Sequence, residues 1–523
     1  MKKILLGAAL VAYGIGINTA NAQRYLQANF ISQIKVTSDT VYARNFSVLT
    51  GTPALIPLRM DVYEPVGDPA NLLRPLVVYL HTGSFLPQYI NGQVTGGRKD
   101  STVAEMCRQF AKRGYVAVAA SYRTGWNPAA TGAAGQDIRT GTLLSAVYRS
   151  IQDAKACVRY FKKNAATANN GFKVDTNKVI LVGQGSGGYV SLAYATLDKF
   201  GEIDLPKFQA AVSNAQYGFV AGQSFINQGT LGGFEGEGGI PQLNSTTTTN
   251  LGYSSDIQFC INFGGAMGDS SWLEAGDVPM AVAHVTTDPF APYVFGGVIV
   301  PTTGDFVVNV SGSKGVIDRA NRLGNNNVLN SQTFNDPYSV RANQVNGGSK
   351  NIFPIVLVPS FQAGPWEWWD EATVLAIPAS AVTGGNSGVT LNNNSKATNP
   401  NMSSAKGKAY VDTLQGFFNP RIVAALGLTS SIGQLSNDLF SVSKAFPNPT
   451  SDKMNIEINL NRSSIVNVKV LNTLGQVVVQ NSVSKFNSGK TTIEVDLSGL
   501  AKGVYLYTVE AENKVATDKV LKQ

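Results

Sequence analysis

The stretch Val179–Val190, VILVGQGSGGYV, sets four strand-forming residues directly against a glycine-rich turn, and an apolar helical pattern follows. A strand that turns so abruptly into a helix belongs in a sheet whose strands are joined by helices, and the flanking sequence extends that pattern. From about Arg59 the short apolar runs RMDVYEP, PLVVYLHTG, YVAVAASYR, VILVG, IQFCINFGG, PMAVAHV and IFPIVLVPSF are separated by longer segments. Three of those segments read as helices: TVAEMCRQFAKRG, closed by Gly114, then LLSAVYRSIQDAKACVRYFKKNA, and finally YVDTLQGFFNPRIVAALGL. The predicted class is α/β, a doubly wound and mostly parallel sheet covered by helices on both faces. Two stretches, Gly222–Ser255 and Thr383–Ser404, are rich in Gly, Thr, Asn and Ser and read as long loops.

After about Leu428 the texture changes. TSSIGQLSNDLFSVSK reads as a linker, and MNIEINL, IVNVKVLNT, TTIEVDL and GVYLYTVEA then follow as short strands separated by turn residues, which predicts a small all-β sandwich. At the other end, MKKILLGAALVAYGIGINTANA has two lysines, an apolar run too short to span a bilayer, and a small-residue Ala20-Asn21-Ala22 site. It reads as a secretory signal peptide cut before Gln23. The expected organisation is therefore a signal peptide at 1–22, an α/β domain at 23–428, a linker at 429–444 and a β-sandwich at 445–523.

Composition removes several functions. Nowhere else do eighteen apolar residues run together, so no transmembrane span is expected in the mature chain. The net charge of +8 is spread over 523 residues without a block of five or six basic residues, which gives nucleic-acid binding no support. Cys107, Cys157 and Cys260 are too few for a disulfide scaffold, though they leave room for one bridge. With only His81 and His284 in the chain, neither a metal centre nor a cofactor is expected.

The C-terminal strands carry specific punctuation: FPNPT opens them, VLNTLGQVV supplies a central turn, LSGLAKGVYLYTV follows, and KVLKQ ends the chain. Together these closely resemble the C-terminal sorting domain of the type IX secretion system of Bacteroidetes. The resemblance implies export across the outer membrane, with the secretion machinery as partner and the cell surface or medium as destination. A carbohydrate-binding or fibronectin-like module would account for the sandwich but not for the terminal lysine motif.

The glycine turn has three readings. Gly183, Gly185 and Gly188 satisfy G-x-G-x-x-G, but a dinucleotide loop needs an acid at the end of the next strand, and the next apolar run, FQAAVSNAQ, ends in amides. The surroundings instead resemble the esterase and lipase branch of the α/β-hydrolases, where a strand, sharp turn and helix expose a nucleophilic serine. VVYLHTGSF resembles that branch's H-G-G-G-F oxyanion loop, with His81, Gly83 and Phe85 matching and Thr82 and Ser84 departing. VPMAVAHVTTDPFAPY resembles the strand and turn that carry the catalytic acid, which would be Asp288. The third reading is that the machinery has decayed. Alignment on the elbow puts Gly185 where the serine should stand and Ser186 one residue late, while the alternative alignment puts Gln184 at a glycine position. No histidine follows His284, so the segment that should hold the base, between Pro289 and about Asp412, is empty of imidazole. Loss of one triad member costs about 10⁶ in rate.

Where the base should lie, the chain reads FQAGPWEWWDEA. Trp366, Trp368 and Trp369 either plug apolar surface or form an aromatic platform beside the former cleft. The expectation is a surface or secreted protein that binds a small ester, sugar or aromatic ligand, with Ser186 and Asp288 vestigial and His81, Gly83 and Ser84 shaping the oxyanion loop. The alternative is an active carboxyl-ester hydrolase using Ser186 with an unorthodox base.

Overall fold

Eleven strands form the first part of the chain, and their burial separates core from edge. β3 (Arg74–Leu80), β4 (Val116–Ala120), β6 (Phe259–Phe263), β8 (Met280–Val285) and β11 (Ile352–Ile355) are buried at every position. Such strands need cover on both faces. β5 (Val174–Gln184) lies at their centre, and β1 (Gln33–Ser47) and β2 (Ala54–Val66) form a partly exposed antiparallel edge. The sheet order is β1-β2-β4-β3-β5-β6-β8-β11, with β2 antiparallel to both neighbours and every later pairing parallel. A small second sheet, β7-β10-β9, joins β7 (Ala266–Met267), β9 (Phe295–Ile299) and β10 (Phe306–Gly312).

The computed structural model describes residues 24–49, 51–68, 73–381, 385–428, 440–442, 445–472, 476–481, 483–511 and 514–523. The signal-peptide reading at 1–22 and most of the linker reading at 429–444 fall outside them. The described residues divide into two compact units, meeting in sequence at Leu426 and Gly427.

In the first unit the two faces of the sheet are sorted by the alternation of side chains. Leu76, Val78 and Leu80 enter one core with Leu144, Val147 and Ile151 of α2 (Gln136–Thr167) and Val190 of α3 (Ser186–Thr196). Tyr79 and Phe263 point the other way, where Phe263 meets Phe418 of a C-terminal helix, Ser404–Ala425. That helix packs beside α1 (Ser101–Lys112). The α/β expectation is met, a mostly parallel sheet between two helical layers.

Four local differences have physical causes. β1 escapes the sequence pattern because most of its side chains are exposed or half-exposed and no clean apolar run marks it. The Asn- and Ser-rich stretch read as a loop contains a helix, Gly388–Ala397, because Ser387 Oγ accepts from Thr390 N and supplies an N-cap. FQAAVSNAQ is irregular, and the strand after α3 is β6. The three cysteines are free and buried.

The second unit pairs β13 (Lys453–Leu460) with β12 (Phe440–Val442) and β17 (Gly489–Asp496). Its other sheet is built on β14 (Ser464–Leu471), β18 (Gly503–Ala511) and β19 (Lys514–Lys522). Met454, Ile456 and Ile458 alternate into a core with Val466, Val468, Val470 and Tyr507, as two packed sheets require. β12 falls within the stretch read as linker. The opening and closing motifs bind each other. Asn448 Oδ1 accepts from Leu521 N at 2.9 Å, its Nδ2 donates to Lys519 O at 3.0 Å, and Thr450 N donates to Leu521 O at 2.9 Å.

One buried ion pair ties sheet to helix in the first unit. Arg123, just past β4, binds Asp153 of α2 through Nε at 2.9 Å and its backbone N–H at 2.8 Å, with both side chains fully buried. Asp153→Ala should cost about 3–5 kcal/mol in urea unfolding, because it strands a buried guanidinium. A cost below about 1 kcal/mol would show that the pair is dispensable.

Candidate functional site

The turn after β5 is drawn tight around Gly185, whose φ of 54° and ψ of −118° no ordinary L-residue adopts without strain. It is a sharp strand-to-helix elbow with a glycine at its apex. A Cβ on Gly185 would meet Thr82 Oγ1 at 2.2 Å and Thr82 Cβ at 3.0 Å. The hydroxyl of Thr82, from the loop after β3, therefore occupies the place a nucleophilic side chain would take. Thr82 departs from the glycine of the H-G-G-G pattern, and the two departures fit each other in space.

Ser186, the first residue of α3, is buried and turned away from that place. Its Oγ lies 3.1 Å from Tyr122 Oη, which gives its own proton to His81 O at 2.6 Å, so Ser186 is the donor to the phenol. His81 stacks on Tyr122 with ring centroids 4.7 Å apart, and its Nδ1 lies 2.5 Å from Thr82 O. Burial pushes its imidazole down to about 4, so it is neutral near pH 7. Gly83 packs against Gly96, and Ser84 and Phe85 both take left-handed φ values of 55°, a strained loop held by Gly125 N donating to Phe85 O.

Asp288 stands at the turn after β8. Its Oδ1 accepts from Phe290 N at 2.7 Å and Ala291 N at 3.2 Å, while burial pushes the carboxyl up to about 7. His284 is 3.8 Å from Asp288 Oδ2, but its ring is committed elsewhere, to Ser313 Oγ at 2.6 Å and Ala291 O at 3.1 Å. Burial holds it at about 4, so it too is neutral.

The segment after β11 supplies no imidazole, but it brings a third acid. Glu367 Oε1 accepts from Gln184 Nε2 at 2.9 Å, and Oε2 accepts from Thr95 Oγ1 at 3.0 Å. Tyr79 Oη donates to Gln184 Oε1 at 2.6 Å, so a relay of hydrogen bonds runs from the sheet through Gln184 to this carboxyl. Desolvation first, then the charges of Asp100 and Asp288, push Glu367 up to about 8. Asp100 itself is raised to about 7 by burial, opposed by Gly97 N and Gly96 N. Thr82, Tyr122 and Glu367 escape a search for triad residues. The signals available were the simultaneous departures at Thr82 and Gly185, and an acid in the base segment.

The three tryptophans meet different surroundings. Trp366 is buried, edge-on to Phe263 at 5.0 Å, with its ring 3.5 Å from where a Cβ on Gly264 would sit, a point 3.9 Å from Gly185 N. Trp368 lies over Gly407 of the C-terminal helix. Trp369 donates from Nε1 to Asn392 Oδ1 at 2.9 Å and packs beside Val94, Val374 and Leu391. Trp366 alone of the three is placed beside the elbow by these contacts.

Residues 444–523 match the family model of the secretion system C-terminal sorting domain. The type IX sorting tail read from FPNPT to KVLKQ is thus present. It marks the chain for export to the surface or the medium and engages the secretion machinery. No helix among the described residues is long and apolar enough to cross a membrane. No curated protein matches the chain. Among solved structures, a native esterase from the Planctomycetes species Thermogutta terrifontis is similar at 18% identity, over 49% of this chain and 72% of that one, with a TM-score of 0.28. Thermogutta terrifontis esterase 2 phosphorylated by paraoxon gives 18% identity, 50% and 74% coverage, and the same TM-score. The α/β fold class rests instead on the strand order and on the strand–turn–helix after β5.

Three outcomes follow from this geometry. Gly185→Ser should destabilise the fold by about 1–3 kcal/mol through its clash with Thr82, and Thr82→Gly in the same chain should recover most of the loss. Strict additivity of the two substitutions in urea unfolding would refute the interlock. Glu367 has a folded pKa raised to about 8, above the unfolded value of about 4.3. Its contribution is therefore full below about pH 4 and lost as pH rises through about 8. Glu367→Gln should flatten stability between pH 5 and pH 8.5, roughly the interval spanned by those two values, and an unchanged slope would assign the pH dependence elsewhere. Truncation before Ala445 should strand the chain in the periplasm, and normal amounts of truncated protein in the medium would contradict the sorting role.

Proposed function

We propose that this is an exported α/β-hydrolase-fold protein of esterase ancestry that binds a small ligand at its elbow and does not hydrolyse it. Its organisation on this reading is a signal peptide at 1–22, the hydrolase-like domain at 23–428, a linker at 429–444 and the sorting domain at 445–523. The observation that carries the reading is Thr82 Oγ1, 2.2 Å from the missing Cβ of Gly185. A serine at Gly185 would crowd Thr82, and the two imidazoles nearby, His81 and His284, are buried, neutral near pH 7 and engaged with other partners. Backbone donors near Gly83 and Ser84 would polarise a bound carbonyl, but polarisation alone does not attack it. A small ester, sugar or aromatic ring is the ligand range proposed for this site.

One observation keeps ester hydrolysis as the second reading. Glu367 sits in the base segment with a carboxyl that exchanges its proton near pH 8, so a base of unorthodox kind is available if Ser186 turns away from Tyr122.

A fluorophosphonate probe and short-chain nitrophenyl esters separate the two. The binding reading expects no covalent label and no turnover above the buffer rate. Labelling abolished by Ser186→Ala would establish the hydrolase instead. Turnover that survives Ser186→Ala but is lost in Asp288→Ala would reveal an acid-driven hydrolysis and end both readings.

A further inference from the structure

The insertion between α3 and β6, which the sequence marks as an unusually long loop, is pinned to α2 along its length. Tyr148 Oη donates to Gly232 O at 2.9 Å, Gln152 Nε2 donates to Leu231 O and Gly233 O at 2.9 Å each, and Arg159 Nε donates to Thr249 O at 2.8 Å. Arg159 Nη1 reaches Glu235 Oε2 at 2.6 Å, beside the ion pair of Lys155 with the same carboxylate. A second set of contacts fixes the far end to β1. Buried Asn244 donates to Gly236 O and Gly238 O and accepts from Asn45 Nδ2 at 3.2 Å, while Ser245 N donates to Asn45 Oδ1 at 2.9 Å. Thr248 Oγ1 accepts from Arg44 N and donates to Arg44 O. A loop tethered at so many points presents a fixed outer face.

Between that face and the β1–β2 hairpin lies a cleft of about 530 Å³. Phe46 and Leu55 of the hairpin and Pro241 and Leu251 of the insertion give it apolar walls, and Ser245, Thr246 and Thr247 add hydroxyls. Among the described residues, no charged side chain lines it. Leu55 is 49% exposed, an aliphatic side chain left open to water on the rim of a concave surface.

We infer that this cleft is a second binding site, separate from the elbow, and that it takes a neutral saccharide of one or two rings. The volume lies in the range of small-ligand sites, about 300–1,000 Å³. A charged ligand would give up hydration without gaining an opposite charge from the lining, and a wholly apolar one would take water from the Ser245, Thr246 and Thr247 hydroxyls, of which Ser245 and Thr247 meet each other at 3.4 Å. A pyranose ring meets both kinds of wall. Its C–H face lies against Phe46 and Leu55, and its equatorial hydroxyls exchange hydrogen bonds with Ser245, Thr246 and Thr247. The anchoring through Asn45 and Asn244 holds these groups in place before the ligand arrives, which lowers the ordering cost of binding.

The test uses the exported chain without its leader, with maltose, cellobiose, chitobiose and mannobiose as neutral probes and glucuronic acid as the charged control. Binding is read by saturation-transfer NMR and calorimetric titration. At least one neutral disaccharide should bind. Leu55→Arg and Thr247→Arg, both at the exposed rim, should each weaken it by about tenfold or more, with circular dichroism and melting temperature unchanged. Failure of all four disaccharides, binding of glucuronic acid alone, or affinity unaltered in both variants would each overturn the assignment. None of these outcomes depends on the elbow, so the two sites stand or fall separately.

Discussion

Everything near the elbow depends on how closely α3 approaches the sheet. A Cβ on Gly187 would come within 2.2 Å of Leu80 O, and one on Gly183 within 2.1 Å of Gly187 O. The glycines of GQGSGG are therefore spacing devices that let a helix start against the ends of β3 and β5. The same closeness brings the loop after β3 over the turn, so Thr82 can reach Gly185 at all. A side chain at either contact would lift the helix and open the site.

Within that frame the side chains around the turn are engaged with one another. A serine at the apex would crowd Thr82, and Glu367 is held between Gln184 and Thr95. Three carboxyls, Asp100, Asp288 and Glu367, are each raised to about 7 or 8 by burial. An imidazolium among them would have depressed those values through its charge. Their upward shift follows first from desolvation. Ser186 is likewise consumed by structure, since its proton goes to a phenol whose own proton goes to a backbone carbonyl.

Much of this was legible in the sequence, for reasons that differ by element. β3, β4, β6 and β8 announce themselves because a strand buried on both faces must be apolar at every position. The sorting tail is legible because FPNPT and KVLKQ bind each other, so the two ends of one small domain are specified together. β1 was illegible because an edge strand half-exposed to water carries no pattern. The helix at Gly388–Ala397 was hidden by composition, since asparagines favour turns unless a cap such as Ser387 commits the chain. At the site, the absence of a histidine could be read directly from the sequence. The closeness of Thr82 to Gly185 could not, because the two residues lie far apart in sequence and meet only when β3 and β5 pair.

The direction of the strands decides what else the fold can use. β1 runs antiparallel to β2, β2 antiparallel to β4, and β4 and β5 both parallel to β3. β1 and β5 therefore point the same way, and the end of β1 at Phe46 opens on the same edge of the sheet as the elbow after Gln184. Loops at that edge are free to change because the strands beneath them carry the stability. The insertion from Gly222 to Ser255 exploits this freedom at the β1 margin, far along the sheet from the filled elbow. The contacts that hold Asn244 and Glu235 in place involve no residue of the elbow, so this rim keeps its shape independently of it.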